Sequence, residues 1–254
     1  MLDHNTGDFS GKAEVYDQSR PPYPRALYDY LYSDVGFESN AVIADIGAGT
    51  GIFSAGLIER GSRVIAVEPD GGMRAQAVRR LGASPLFSAV GAGAENTGLS
   101  EESVDFITAA QAFHWFDRAA FSAECRRILK KGGRVALIWN DRDDASPIVT
   151  DIAEISAALC PRFRGFKGGF GKDDASVFSA FYNGPYEYRA FENDLMLGAD
   201  VFIGRCLSSS YAPKPDEENY EAFAAGLRNI FTRYSQGSEI LMPYITKCYT
   251  GAMI

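Results

Sequence analysis

Between residues 41 and 140, short apolar runs alternate with longer stretches whose apolar residues recur at helical spacing. Residues 41–46, Ala-Val-Ile-Ala-Asp-Ile, are rich in Val and Ile, the pattern of a strand covered on both faces. Gly47, Gly49 and Gly51 follow, and glycine lets a backbone bend sharply and approach a ligand without interference from a Cβ. Thr50 opens a helical pattern with Ile52, Phe53, Leu57 and Ile58 on its apolar side, stopped by Gly61. Residues 63–68 form a second apolar strand that also ends in an acid, Glu68. Pro69 and Asp70 start the next helix, with Met73, Ala77 and Leu81 as its inner stripe before Gly82.

The rhythm continues with strands over residues 85–90 and 103–110. Asp117 caps a helix bearing Phe121, Cys125, Ile128 and Leu129, with Lys130 and Lys131 suited to its C-terminal dipole and Gly132 to end it. Residues 133–140 are a fifth strand. Five strands in alternation with helices predict an α/β fold with a doubly wound, mostly parallel sheet. Ahead of it, Ser10 caps a short helix carrying Val15 and Tyr16, which ends before Pro21, and Pro24 begins a second helix with Leu27, Tyr28 and Leu31. Beyond Asn140 the pattern predicts a helix over 148–159, a basic, glycine-rich, aromatic loop, a sixth strand over 186–195, two helical pieces over 199–235 and a last strand over 240–249.

Charge and composition narrow the chemistry. The formal net charge is −8, from 33 acids against 25 Lys and Arg, and without a basic stripe to neutralise phosphates a nucleic-acid substrate is disfavoured. Cys125, Cys160, Cys206 and Cys248 lie far apart without metal spacing, as reduced buried thiols do, and with His4 and His114 as the only histidines a histidine-rich metal site is not expected. From the polar start no signal peptide is expected, and no apolar run approaches the roughly 20 residues of a membrane span. A cytoplasmic enzyme, without a membrane partner, is the expectation.

The glycine spacing selects the ligand. A dinucleotide site wants a third glycine where Ile52 stands, and no Lys-Ser or Lys-Thr follows as in a phosphate-binding P-loop. The pattern from Asp45 to Gly51, Asp-x-Gly-x-Gly-Thr-Gly, instead resembles the first motif of class I S-adenosylmethionine-dependent methyltransferases. That resemblance implies a Rossmann-like sheet of seven strands, the seventh antiparallel, in one domain over 1–254. It implies S-adenosylmethionine as cofactor, with Asp45, Gly47, Ala48 and Gly49 at its amino-acid end and Glu68, with Pro69, at the ribose hydroxyls. It places Met73, Ala94 and Glu95 around the adenine and Gln111 and Ala112 at the end of the fourth strand. A core methionine and a solvated loop acid remain the alternatives for Met73 and Glu95.

Residues 16–24, Tyr-Asp-Gln-Ser-Arg-Pro-Pro-Tyr-Pro, and 111–116, Gln-Ala-Phe-His-Trp-Phe, are similar to a small-molecule subfamily that includes the trans-aconitate and cantharidin methyltransferases. In that subfamily the N-terminal segment, 1–35 here, folds over the cofactor as a lid, which makes Tyr16 and Arg20 candidate cofactor contacts, and insertions at 141–185 and 199–238 cap the acceptor. His114, Trp115, Trp139 and Arg142 are the candidate acceptor residues. His114 is the one side chain suited to act as a base near neutrality, with shaping of an aromatic pocket as its alternative role. The resemblance implies methyl transfer to a small-molecule carboxylate, and Arg142, Arg162, Arg164, Lys167 and Lys172 add cations to the cap of an acidic chain. A phenol, amine or ring-carbon acceptor, and a non-catalytic cofactor binder, remain open.

Overall fold

A computed structural model describes residues 21–166 and 174–254. The first half runs α1 (Arg25–Ser33), β1 (Val42–Ile46), α2 (Ile52–Glu59), β2 (Arg63–Val67), α3 (Gly71–Leu81), β3 (Phe87–Val90), β4 (Val104–Ala110) and a one-turn 3-10 helix (Phe113–Trp115). Then come α4 (Arg118–Ile128), β5 (Leu129–Arg142), α5 (Pro147–Leu159) and α6 (Asp174–Tyr182). The chain ends with β6 (Tyr186–Glu192), β7 (Leu195–Gly198), α7 (Ala199–Leu207), α8 (Tyr220–Tyr234), β8 (Glu239–Met242) and β9 (Tyr244–Ala252).

Seven strands form one sheet in the order β3-β2-β1-β4-β5-β9-β6. β1 lies parallel to β2 (Ile43 beside Val64) and to β4 (Ile43 beside Phe106), so the strand order reverses between β1 and β4. That reversal is where a crevice opens at the carboxyl ends of a doubly wound sheet. β9 runs antiparallel to both β5 and β6.

Period-two alternation divides the side chains of the sheet between two cores. On β5, Val135, Leu137 and Trp139 join Phe121, Cys125 and Ile128 of α4 and Phe178, Phe181 and Tyr182 of α6. Ala136 and Ile138 face the other way, onto Leu27, Tyr28 and Leu31 of α1 and Phe53 and Leu57 of α2. A Cβ on Gly56 would lie 2.3 Å from the Tyr28 ring, so that glycine is what lets α1 settle on α2. α1 is thus built into the core, while residues 1–20 of the expected lid lie outside the described residues. Cys125, Cys160, Cys206 and Cys248 are free and buried. Among the described residues no helix is long and apolar enough to cross a membrane.

The second half departs from the pattern in three places. The run expected as one strand over 186–195 stops at Glu192, because Asn193 and Asp194 turn the chain: the Asn193 N–H donates to the Tyr244 carbonyl and the Tyr244 N–H to Asp194 Oδ1. The run over 240–249 is broken by Pro243, which has no N–H to give a ladder. The pieces left over, β7 and β8, pair with each other in a separate two-stranded sheet, register Leu197 to Ile240. This small sheet packs with α5, α7 and α8 into a third core containing Ile152, Phe202, Phe223 and Leu227. Lastly, α6 occupies part of the stretch expected as loop; its inward residues are aromatic, and short aromatic runs do not show the aliphatic spacing by which a helix is recognised.

Candidate functional site

The glycine loop is tied to β2: the Gly47 and Ala48 N–H groups donate to the Val67 carbonyl at 2.8 and 3.3 Å, and the Gly51 N–H to the Ala48 carbonyl at 3.0 Å. Gly47, Gly49 and Gly51 have φ of +67, +57 and +80°, where a side chain is strained. Their surroundings differ. A Cβ on Gly47 would lie 2.5 Å from Ala112 Cβ and one on Gly51 2.9 Å from Leu81 Cδ1, whereas one on Gly49 meets nothing within 4 Å. Gly47 and Gly51 are therefore packing glycines, and Gly49 leaves open space where the loop faces the crevice.

Two acids hold this loop from behind. Asp45 is 1% exposed and accepts the Ser54 hydroxyl at 2.6 Å on one oxygen and the Thr108 hydroxyl at 2.8 Å on the other. Burial pushes its carboxyl up to about 6, against the lowering effect of the two hydroxyls and with Glu68 nearby adding to the rise. Glu68 Oε2 accepts the Gly49 N–H and Oε1 the Asp70 N–H, both at 2.9 Å. Burial raises its pKa and those two backbone donors oppose the rise. Each Glu68 oxygen retains a second lone pair, so the carboxylate can also accept from a ligand's paired hydroxyls.

Across the crevice, Gln111 ends β4 at φ +56°, an uncommon conformation for a residue with a side chain and one that gathers at ligand sites. Its N–H donates to the Ile138 carbonyl and its amide Nε2 to the Asn140 carbonyl, both at 2.8 Å, which locks the ends of β4 and β5 together. Asp45, Gly47, Ala48, Gly49 and Gln111 line one cavity that is open to solvent. Pro21, Tyr23 and Asn140 also line it, with Thr50, Ile52, Phe53 and Ala110. Tyr23 is held edge-on to Phe53 with ring centres 4.9 Å apart.

Other expected residues fall around this cavity without lining it. Met73 is buried at the start of α3, its N–H capped by Asp70 at 2.8 Å, and Pro69 is exposed beside it. Ala94 is buried in the core, and Glu95 is exposed, accepting the Asp117 N–H at 2.9 Å. Ala112 is buried against Gly47. His114 and Trp115 lie on the 3-10 helix with rings 5.0 Å apart, His114 half-buried and Trp115 exposed. Tyr16 and Arg20 lie outside the described residues.

Trp139, expected to meet the acceptor, is placed elsewhere. It is 4% exposed and packs on Phe113, Phe178 and Tyr249 with ring centres 6.1, 5.8 and 5.9 Å away. The reason is strand alternation: Asn140 faces the cavity, so its neighbour Trp139 faces the opposite core. Arg142, two residues past Asn140 on the same face of β5, enters the third core. Its guanidinium lies 4.2 Å from the centre of the Phe166 ring and donates to the Tyr211 hydroxyl at 3.2 Å. The other cap arginines are engaged: Arg162 grips Glu217 through two bonds of 2.8 Å, and Arg164 donates to the Pro161 and Phe163 carbonyls. Lys167 and Lys172 lie outside the described residues.

The chain is similar to known methyltransferases. Residues 44–137, which carry the glycine loop, Glu68 and Gln111, match the methyltransferase-domain family. An uncharacterised methyltransferase of Mycobacterium tuberculosis is 37% identical over 147 residues, and the match spans 58% of this chain and 58% of that protein's length. A methyltransferase-like protein of Schizosaccharomyces pombe is 28% identical over 243 residues, 93% of this chain and 91% of its own. Among solved structures, a candidate type II methyltransferase of Anaeromyxobacter dehalogenans superposes with a TM-score of 0.65 at 25% identity, covering 92% of this chain and 98% of that one. A methyltransferase assigned to antibiotic biosynthesis in Anabaena variabilis gives 0.63 at 26% identity, covering 92% and 99%.

Proposed function

We infer that this chain, with a class I methyltransferase domain over residues 44–137, is an S-adenosylmethionine-dependent methyltransferase acting on a small-molecule carboxylate. The observation that carries the cofactor reading is the open face of Gly49, at φ +57° with nothing within 4 Å of its absent Cβ, directly above the Glu68 carboxylate that its own N–H holds. A ligand backbone fits against that face, and the Glu68 lone pairs suit two ribose hydroxyls. When bound, the sulfonium supplies a methyl group already activated for in-line displacement. The chain's own residues bind and orient. Asp45 and the loop N–H groups shape the amino-acid end, Gln111 and Asn140 close the β4–β5 side, and Pro21 and Tyr23 shield the opening from water. Holding the reactants aligned recovers on the order of 7 kcal/mol or more of a bimolecular barrier, so little further chemistry is asked of the protein.

Arg142 supports the carboxylate acceptor. Its described partners are a phenol hydroxyl and an aromatic ring, neither of them a carboxylate, and it lies two residues beyond Asn140 on the same face of β5. A planar guanidinium seated between Phe166 and Tyr211 is a fork-shaped partner for a carboxylate. A carboxylate acceptor is ionised near neutrality and needs no base, so the role assigned to His114 is positioning at the rim.

The test is transfer of labelled methyl from S-adenosylmethionine to panels of carboxylic acids, phenols and amines, followed by pH-rate profiles of wild type and His114→Gln on the best acceptor. Carboxylic acids should turn over, with His114→Gln slower at every pH and parallel in profile. Turnover of phenols or amines with every carboxylic acid inert refutes the acceptor assignment; no transfer alongside no cofactor binding refutes the function.

A further inference from the structure

Beside the cavity lies a buried polar knot of Asn140, Asn193 and Thr246, which are 8%, 7% and 0% exposed. The Asn193 amide donates to the Pro22 carbonyl at 2.8 Å and to Asn140 Oδ1 at 3.3 Å. The Asn140 amide donates to the carbonyls of Pro21 and Pro22, both at 3.3 Å, and the Thr246 hydroxyl donates to Asn140 Oδ1. Asn193 is itself fixed by its N–H on the Tyr244 carbonyl at 2.9 Å. The knot joins four parts of the chain: the proline pair before α1, the end of β5, the turn between β6 and β7, and β9.

Pro21, Tyr23 and Asn140 line the cavity; Asn193 and Thr246 do not. Pro21 and Pro22 belong to no helix or strand, so their carbonyls find no ladder partner, and side-chain amides meet that need. Buried amides without partners are costly, which fixes the direction of each group in the knot. The shortest of these amide bonds ends on Pro22, between the two wall residues Pro21 and Tyr23. The wall facing the glycine loop therefore takes its position from a residue at the root of the cap.

We propose that Asn193 is a positioning residue for the cofactor, acting through Pro22 and Asn140 to hold the Pro21–Tyr23 wall against the loop, and so joining the cap to the cofactor site. This rests on the cavity being the cofactor site. The test is calorimetric titration of S-adenosylhomocysteine into wild type, Asn193→Ala and a control, Asn219→Ala. The control removes a comparable amide bond, Asn219 Nδ2 to the Leu159 carbonyl at 3.2 Å, within the cap and away from the cavity. Thermal melts report the structural cost of each. Asn193→Ala should weaken binding about tenfold, the worth of about one hydrogen bond, while Asn219→Ala stays within about twofold of wild type at a similar loss of Tm. Should Asn193→Ala fail to fold, Thr246→Val, which deletes one bond to Asn140 and keeps the side chain's shape, should weaken binding severalfold. Equal affinity in wild type and the knot variants overturns the inference alone, as does equal weakening by Asn219→Ala. Wild type that binds no S-adenosylhomocysteine overturns the cofactor reading and this inference with it.

Discussion

Gly47 and Gly49 share a left-handed backbone, and replacing each by alanine should separate packing from binding. At both positions the methyl group costs about 1–2 kcal/mol of left-handed strain. At Gly49 nothing more is added to the protein, since no atom lies within 4 Å of the new Cβ. At Gly47 the new Cβ falls 2.5 Å from Ala112 Cβ, far inside the roughly 3.5–4.0 Å of a carbon contact. Ala112 cannot retreat easily, because it is buried and follows Gln111, whose own φ is +56°. Overpacking of this kind adds about 1–3 kcal/mol, for a total of about 2–5 kcal/mol at Gly47. At about 2–4 °C per kcal/mol for a domain of this size, Gly49→Ala should lose a few degrees of Tm and Gly47→Ala distinctly more. Titration with S-adenosylhomocysteine should give the opposite emphasis for Gly49→Ala: nearly native stability, but affinity reduced at least about tenfold, equivalent to about 1.4 kcal/mol. Equal Tm losses in the two variants would refute the packing argument. Native affinity in Gly49→Ala would show that the loop's open face does not meet the cofactor.

Glu68→Gln keeps the side chain's shape but turns an amide donor toward the N–H of Gly49 or Asp70, and removes a charge-assisted acceptor of about 1.5–3 kcal/mol; cofactor affinity should fall about tenfold to a hundredfold by calorimetry, and an unchanged Kd refutes the ribose assignment. Burial lifts the Asp45 carboxyl from 3.8 to about 6, so between those values the folded protein holds a proton that the unfolded chain has released. Stability should therefore fall as pH rises through that window, by about 3 kcal/mol at 1.36 kcal/mol per unit. Asp45→Asn should flatten that slope in urea unfolding measured at several pH values, and identical slopes in the two proteins would assign the proton to another group.

Most of the parallel half of the fold was legible because its strands announce themselves by apolar runs and its helices by a stripe and a stop; the exception is the end of α4, expected to run to Gly132, which stops at Ile128 because Leu129, Lys130 and Lys131 already belong to β5. The positions of Gly47 and Gly49 in the loop after β1, and of Glu68 at the end of β2, were legible in the same way. The rest depended on contacts between distant residues. That Gly47 packs against Ala112 while Gly49 faces open space is invisible in their shared spacing. The side of β5 that Trp139 faces follows from the register of its neighbours, and an all-apolar run does not declare it. Asn193 carried one faint signal, as the first of an Asn-Asp pair, both poor strand formers, inside a run expected to continue to residue 195. Its partner Pro22 lies so far away along the chain that no local pattern connects them.

The meeting of Asn193 with Tyr244 at 2.9 Å has a consequence for how such a chain diversifies. β6 and β9 are neighbouring antiparallel strands, and everything from Asp194 to Pro243 is, topologically, the loop of a single hairpin. The entropy of closing a loop grows only with the logarithm of its length, so a loop with its own core costs the sheet little more than a tight turn. The chain leaves and re-enters at one point, and whatever is built between the two ends can be lengthened, shortened or exchanged without disturbing a ladder bond of the main sheet. On the proposed function, selectivity for an acceptor would be rewritten in that hairpin loop while the half of the protein carrying the glycine loop is inherited unchanged.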